Sequence, residues 1–411
     1  MTPFLLSGHG LAAPLPPKPL LPALMTLLVI SLFVQIELVE IAARSLTAYH
    51  VVACLGGLIL LLGWTVGRGP AVSRQVALAL GFTGSLAAPA LLGWDLGLAS
   101  SVLGFALVFY LFGLRFGRTA PEARARIYAI AALVFFIATL GRNLLHAGEL
   151  PRVYSRLRGC EGCFLAPGGR NIEATLLATL ALLYQGRHRH LFALMMTATV
   201  LLYESRVGLI GAGIYWIDAL LRSRLPVRRL APLIAGIAAA TLLLATGPPE
   251  ILARFSLSHE ITLGNEGLGR LALWSAAVEL IPAHPFGVGP GQAVGAINRE
   301  LIRSFWENNV HNVALTWLLD LGWLHGAALS VFVLGAACLA GLGPRQPESA
   351  ALIFLTLAGL VGLSGYDAPL FFCLGTFVAA RARQASAASA AATAPRSAEP
   401  RITACRSSPE T

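Results

Sequence analysis

Apolar runs long enough to cross a lipid bilayer recur along almost the whole chain. Of its 411 residues, 56% are apolar and only 12% are charged. A soluble globular domain carries about 25% charged residues, so most of this surface cannot face water. A helix of about 20 apolar residues crosses the hydrocarbon core and satisfies its own backbone hydrogen bonds. The sequence therefore predicts an all-α integral membrane protein with about 12 transmembrane helices.

The apolar runs alternate with arginine clusters, which predicts the topology. Spans are expected to start near Leu20, His50, Gln75, Gly97, Arg126, Ile172, Leu191, Val207, Leu230, Gly322, Ala350 and Leu370. Every loop assigned to the cytoplasm contains arginine, from the set Arg68, Arg74, Arg115, Arg118, Arg124, Arg126, Arg187, Arg189, Arg222, Arg224, Arg228, Arg229 and Arg345. The opposite turns near Asp95 and Asp367 contain none. Because basic loops stay in the cytoplasm, we predict a multi-pass inner-membrane (plasma-membrane) protein with both termini cytoplasmic.

The domain organisation follows from the same pattern. Residues 1–19 are predicted to be a cytoplasmic segment, 20–382 one polytopic membrane domain, and 383–411 a disordered cytoplasmic tail rich in Ala and Ser. Two long periplasmic loops are expected at about 147–171 and 247–311, and the second is the one with room for a site. The first span is expected to include Glu37 and Glu40, for which the sequence suggests no function.

No cofactor or metal ion is predicted. The sequence contains no Asp-x-Asp pair of the kind that holds magnesium beside phosphates. Cys160 and Cys163 form a lone C-x-x-C in a polar loop, whereas a zinc site needs a second pair of ligands. Whether these two thiols are bonded or free stays open. The net charge of +10 is explained by the cytoplasmic arginines, so nucleic acid is not an expected partner.

Two arginines are expected on the outer face, against the usual charge bias. Arg206 follows Ser205 at the outer end of one span, and Arg270 precedes a helical pattern that includes Trp274. That helix is amphipathic and could lie on the membrane surface. Taken singly, Arg206 could instead be an interfacial arginine and Arg270 a solvated loop residue.

A glycine-rich turn and a histidine follow in the same loop. The segment Pro285-Phe286-Gly287-Val288-Gly289 allows the backbone to turn sharply and to approach a ligand or a helix closely. His311 and Asn312 then lead into an apolar helix, which His311 is predicted to cap from the outer side. A histidine among polar residues at a water-accessible depth is suited to titration near neutral pH.

In this order, the motifs resemble the O-antigen ligase and O-antigen polymerase superfamily of polytopic bacterial membrane glycosyltransferases. The resemblance covers about Arg142 to Arg381. It is carried by Ser205-Arg206, Gly269-Arg270-x-x-x-Trp274, Pro285-x-Gly-x-Gly289, His311-Asn312 and Leu321-Gly322. Two positions depart from the family pattern. The family often has an acidic residue just before the last glycine of the pattern, Gly322, and this residue is aspartate here, Asp320. The segment Gly169-Arg170-Asn171 stands where the family usually has Asn-Pro-Asn.

The resemblance implies a class C glycosyltransferase fold with a long periplasmic loop and a role in lipopolysaccharide biosynthesis. The enzyme would move a glycan from undecaprenyl diphosphate to a lipid A-core hydroxyl on the periplasmic face. It implies that Arg206 and Arg270 bind the diphosphate and that His311 is catalytic. Ser205, Trp274, Gly289 and Asn312 would support them. The expected partners are the lipid-linked glycan donor, a lipid A-core or growing glycan acceptor, and membrane lipids.

These residue types suit the chemistry without reference to a family. A lipid diphosphate is a good leaving group that needs fixed positive charge, and a guanidinium binds phosphate through two parallel contacts. A neutral histidine can take the proton of the attacking hydroxyl. Arginine in place of a divalent metal would then make the transfer metal-independent.

Three other functions stay open at this level. A polymerase of O-antigen or exopolysaccharide would use the same residues with the growing glycan as acceptor. Protein O-glycosylation is a further acceptor choice. A transporter or flippase would instead place charged residues inside the spans near the bilayer centre, whereas the distinctive residues here lie at one face.

Overall fold

The fold is described by a computed structural model for residues 20–35, 37–41, 44–48, 50–55, 57, 81–87, 91, 93–145, 169–203, 205–222, 269–305, 307, 309–342, 346–363 and 365–393. Several predictions lie outside these residues. They are the N-terminal segment 1–19, the span near Leu230, the Cys160–Cys163 pair and the end of the C-terminal tail.

The described chain is built of helices, as the composition predicts. They are α1 (Leu20–Phe33), α2 (Leu96–Gly117), α3 (Pro121–Leu145), α4 (Gly169–Leu183), α5 (Arg189–Leu202), α6 (Arg206–Arg222), α7 (Gly269–Leu280), α8 (Ala293–Glu300), α9 (Val313–Leu342), α10 (Pro347–Gly359) and α11 (Ala368–Thr393). A 3-10 turn at Ile281–Ala283 follows α7. Among the described residues, the strands are β1 (Glu37–Ile41) and β2 (Arg44–Thr47), which pair antiparallel.

Two of these helices are long and apolar enough to span a membrane. They are α2, with a mean hydropathy of 2.0, and α9, with a mean hydropathy of 1.8. At 1.5 Å per residue, the 22 residues of α2 extend about 33 Å, which matches a hydrocarbon core of about 30 Å. Shorter apolar helices occur at Ala23–Phe33, Arg189–Leu201 and Pro347–Gly359. The count of about 12 spans stays a prediction.

The first predicted span needs a correction. Glu37 and Glu40 were expected inside it, but α1 ends at Phe33 and both residues lie in β1. Val39 and Ile41 are β-branched and favour an extended backbone. Ending the helix early also removes two carboxylates from an apolar span, where they would be costly.

The boundary of the predicted tail is also different. Disorder was expected from residue 383, but α11 continues to Thr393. The segment 385–392 consists of alanine and serine only, and alanine has the highest helix propensity of all residues. The helix therefore extends beyond its buried part, which ends near Ala380.

The helix predicted inside the long loop is present as α7. Its buried residues Leu273 and Ala277 pack against Ile297 of α8 and Leu319 of α9, in a small apolar cluster. A larger apolar cluster contains buried residues of the remaining helices and of α9. The loop is thus anchored to the bundle through the first half of α9.

The two ends of α10 differ in chemistry. At its first turn, Glu348 accepts a hydrogen bond from Arg124 Nε at 2.8 Å, and both side chains are buried. Near this end, Arg383 Nη1 donates to the Thr119 carbonyl at 3.0 Å. The opposite end of α10 leads into the turn Val361–Gly362, which carries the residues described next.

Candidate active site

Two of the predicted site residues contact the turn Val361–Gly362, each at one of its two consecutive backbone carbonyl groups. Arg270 Nη1 donates to the Val361 carbonyl at 2.6 Å. His311 Nδ1 lies 3.4 Å from the Gly362 carbonyl. Arg270 opens α7 and His311 precedes α9, so the fold brings together two side chains that are 41 positions apart in the sequence. They are direct neighbours on one short turn.

The third residue, Arg206, begins α6 beside the same turn. Ser205 is the N-cap of α6: it is fully buried, and its Oγ accepts from the Gly208 amide at 3.2 Å. A Cβ atom built on Gly362 would lie 3.0 Å from Cγ2 of Val207, the residue after Arg206. The N-terminal turn of α6 therefore lies against the turn that holds Arg270 and His311.

Trp274 positions the loop that carries His311. It follows Arg270 by four residues on α7, so both side chains are on one face of that helix. Trp274 Nε1 donates to the Val310 carbonyl at 2.9 Å. One helix thus contacts the turn through Arg270 and the histidine loop through Trp274.

His311 adopts a backbone conformation that is uncommon for residues other than glycine. Its φ is +58°, in the left-handed region, and its amide donates to Asn309 Oδ1 at 2.8 Å. Such conformations cluster at functional sites because the surroundings must hold them. The prediction that His311 caps the helix is wrong. Asn312 is the cap, since its Oδ1 accepts from the amides of Ala314 and Leu315 at 3.1 Å each.

The surroundings of His311 favour the neutral imidazole. Burial lowers its pKa from the ordinary value of 6.5, and the nearby Arg270 guanidinium lowers it further. The Gly362 carbonyl and Glu307 oppose these effects, but the pKa remains lowered. Because a carbonyl can only accept, Nδ1 carries the proton, and Nε2 keeps the lone pair that can take a proton.

The glycine-rich turn is joined to α9. Gly289 has a φ of +107°, and its amide donates to the Asp320 carbonyl at 3.0 Å. On its other side, Gly289 faces the Trp94 ring, which a Cβ atom would approach to 3.2 Å. Gly322 interrupts α9 with a φ of +78° and a ψ of 178°. Gly289 thus packs against α9 and Trp94, whereas Arg270 and His311 contact the turn Val361–Gly362 and Arg206 begins the helix beside it.

Sequence reasoning missed the turn Val361–Gly362 and understated Asp320. The turn contributes backbone carbonyls, which no residue type signals. Asp320 did carry a signal, because it is an ionisable residue inside an apolar span, and such residues are rare unless they have a function. Its side chain is fully buried and accepts hydrogen bonds from the backbone amides of Gly291 and Ala293.

A match to a known family covers the centre of this site. Residues 191–329 match a family model described as O-antigen ligase, which confirms the resemblance predicted from the sequence. The matched region contains Arg206, Arg270, Gly289 and His311, while the turn Val361–Gly362 lies outside it. No curated protein matches the chain.

Proposed function

We propose that this chain, which carries an O-antigen ligase region over residues 191–329, is an O-antigen ligase-like glycosyltransferase. It moves a glycan from undecaprenyl diphosphate to a hydroxyl of a lipid A-core acceptor on the periplasmic face of the inner membrane. One observation carries this proposal: Arg270 and His311 contact the consecutive carbonyl groups of Val361 and Gly362, beside the first turn of α6.

The geometry supports a single displacement. Nε2 of His311 takes the proton of the acceptor hydroxyl, whose oxygen attacks the anomeric carbon. The bond from that carbon to the diphosphate oxygen breaks, and the lipid diphosphate leaves with the electron pair. Arg206 and Arg270 stabilise the charge on the departing oxygens. A single displacement inverts the anomeric centre.

The distribution of arginines supports the assignment of the face. The site lies at the C-terminal end of α10, whereas Arg124 and Arg383 lie at the end where α10 begins. The 13 residues of α10 separate these ends by about 20 Å at 1.5 Å per residue. Basic residues favour the cytoplasmic side, so the site belongs on the periplasmic side.

An apolar cavity supports a donor with a long hydrocarbon chain. The cavity has a volume of about 560 Å³ and lies between α2, α9, the start of α11 and a short segment at 81–85. Leu103 and Leu374 are among the residues that line it, and Phe332, on its α9 side, is 45% exposed. Tyr366, four residues after Gly362, also lines the cavity. A polyprenyl chain in this cavity would place its diphosphate toward the site.

Transfer is expected to continue after chelation by EDTA. Arginine supplies the positive charge in this proposal, and a magnesium ion would need one or two carboxylates beside the phosphates. The measurement is the glycan transfer rate of purified protein with and without EDTA. Loss of transfer that magnesium or manganese restores would contradict the arginine assignment.

The pH dependence should report on His311. Its pKa is lowered, so the imidazole is neutral and active above that pKa and becomes charged as the pH falls through it. We therefore expect kcat/KM to decrease on the acid side with a midpoint below 6.5. The measurement is the pH profile of transfer. A midpoint above that value, or a profile that His311→Ala leaves unchanged, would argue against histidine as the base.

Deletion of the gene in its host tests the proposed function itself. The expected result is that long glycan accumulates without attachment to lipid A-core and that expression of the wild-type chain restores attachment. Surface glycan reduced to a single repeat unit would instead identify a polymerase. Unchanged surface polysaccharide would reject both.

A further inference from the structure

We propose that Asp320 is a positioning residue for the transfer reaction, because its carboxylate joins the glycine-rich segment to the loop that carries Val361 and Gly362. This inference rests on the proposed function. Asp320 acts on Arg270 and His311 through the loop between α10 and α11.

The first half of this connection runs to the glycine-rich segment. Asp320 Oδ2 accepts from the Gly291 amide at 2.8 Å, and Oδ1 accepts from the Ala293 amide at 2.9 Å. The Asp320 carbonyl also accepts from the Gly289 amide at 3.0 Å. Asp320 therefore accepts hydrogen bonds from three amides, two in the glycine-rich segment and one at the first residue of α8. Both carboxylate oxygens are used in these bonds.

The second half runs to the loop of the site. The Tyr366 hydroxyl faces the Asp320 carboxylate. One turn before Asp320 on α9, Trp317 Nε1 donates to the Gly365 carbonyl at 3.0 Å. The loop is thus attached to α9 next to Val361 and Gly362, the residues that accept from Arg270 and His311.

The position of Asp320 argues against a residue that serves packing alone. It is fully buried in a helix that is apolar enough to span a membrane. A carboxylate is costly in such a place, and an apolar side chain would stabilise the helix better by packing. The carboxylate instead provides two oxygens that accept hydrogen bonds from two amides. These bonds hold the glycine-rich segment against the part of α9 that Gly322 interrupts.

The test compares Asp320→Asn with Tyr366→Phe and with Ser330→Ala. Asparagine keeps the volume but places an NH₂ group against one of two amide donors, so one hydrogen bond is lost. Tyr366→Phe removes only the hydroxyl that faces the carboxylate. Ser330 is the matched control, because it is buried on the same helix and its hydroxyl donates to the Gly326 carbonyl at 2.8 Å, away from the site.

The measurements are kcat and the pH profile of glycan transfer, per folded protein in detergent. For Asp320→Asn we expect kcat to fall about 10- to 100-fold, the equivalent of one buried hydrogen bond left unmade. The acid midpoint should move up toward 6.5, because a loosened loop exposes His311 and moves it from Arg270. Glu307 and the Gly362 carbonyl, the other groups facing His311 among the described residues, are unchanged in the variant. Tyr366→Phe should give a smaller shift in the same direction, and Ser330→Ala none.

Two results would overturn the proposal. One is a normal kcat and midpoint in Asp320→Asn, and the other is an equal loss in Ser330→Ala. If Asp320→Asn does not fold, an unchanged midpoint in Tyr366→Phe decides against it. Failure of the proposed function is a different result, since the wild type would then transfer no glycan or His311→Ala would transfer it normally.

Discussion

Replacement of His311 by alanine is expected to lower the rate of glycan transfer about 10²- to 10⁴-fold, the usual contribution of a general base. The Nε2 lone pair is the group lost. Arg270 keeps its bond to the Val361 carbonyl, so binding of the lipid diphosphate should be largely retained. The measurements are the transfer rate and donor binding, both normalised to folded protein.

His284→Ala is the matched control for this variant. His284 lies in the same loop and bonds Glu300 at 2.9 Å, away from the turn Val361–Gly362. Its replacement should leave transfer within a few-fold of the wild type. Near-normal transfer by His311→Ala, or equal losses in both histidine variants, would refute the assignment of the base.

Replacement of Arg270 by lysine is expected to lower kcat/KM about 10²- to 10³-fold, a loss comparable to that of one preorganised oxyanion donor. A guanidinium can hold the Val361 carbonyl with one nitrogen and present others to a phosphate, whereas an ammonium is a single point of charge. Both donor binding and kcat should decrease, in contrast to His311→Ala. Arg206→Lys should follow the same pattern.

Arg299→Lys provides the control for the arginine variants. Arg299 lies in the last turn of α8, on the exposed side of the same loop region. We expect normal donor binding and normal kcat for this variant. If Arg270→Lys and Arg206→Lys also behave normally, positive charge alone is sufficient and the two-point contact with the diphosphate is excluded.

The sequence predicted the helical class, and it singled out the candidate site residues, because each of these has a local signature. Apolar runs indicate membrane helices, and arginines expected on the outer face conflict with the usual charge bias. The proximity of Arg270 and His311 at the turn Val361–Gly362 had no such signature in the sequence. It depends on where α10 ends and on two carbonyl groups of the next turn, which are the same in every residue type.

The predictions that failed concern the ends of helices. Asn312, rather than His311, caps α9, because the amide side chain reaches two backbone amides while His311 turns toward Gly362. α1 ends before Glu37, where β-branched residues favour a strand. Helix ends depend on a few weak local preferences, and tertiary contacts decide among them.

The use of main-chain carbonyls at the turn Val361–Gly362 has a consequence for mutational screens. Val361→Ala deletes the two γ-methyl groups but leaves the carbonyl oxygen that accepts from Arg270. A scan by alanine substitution would therefore score this position as tolerant, although it holds a residue of the site. Only changes to the chain path, such as insertion or deletion of one residue in the turn, would move both acceptors and reveal its importance.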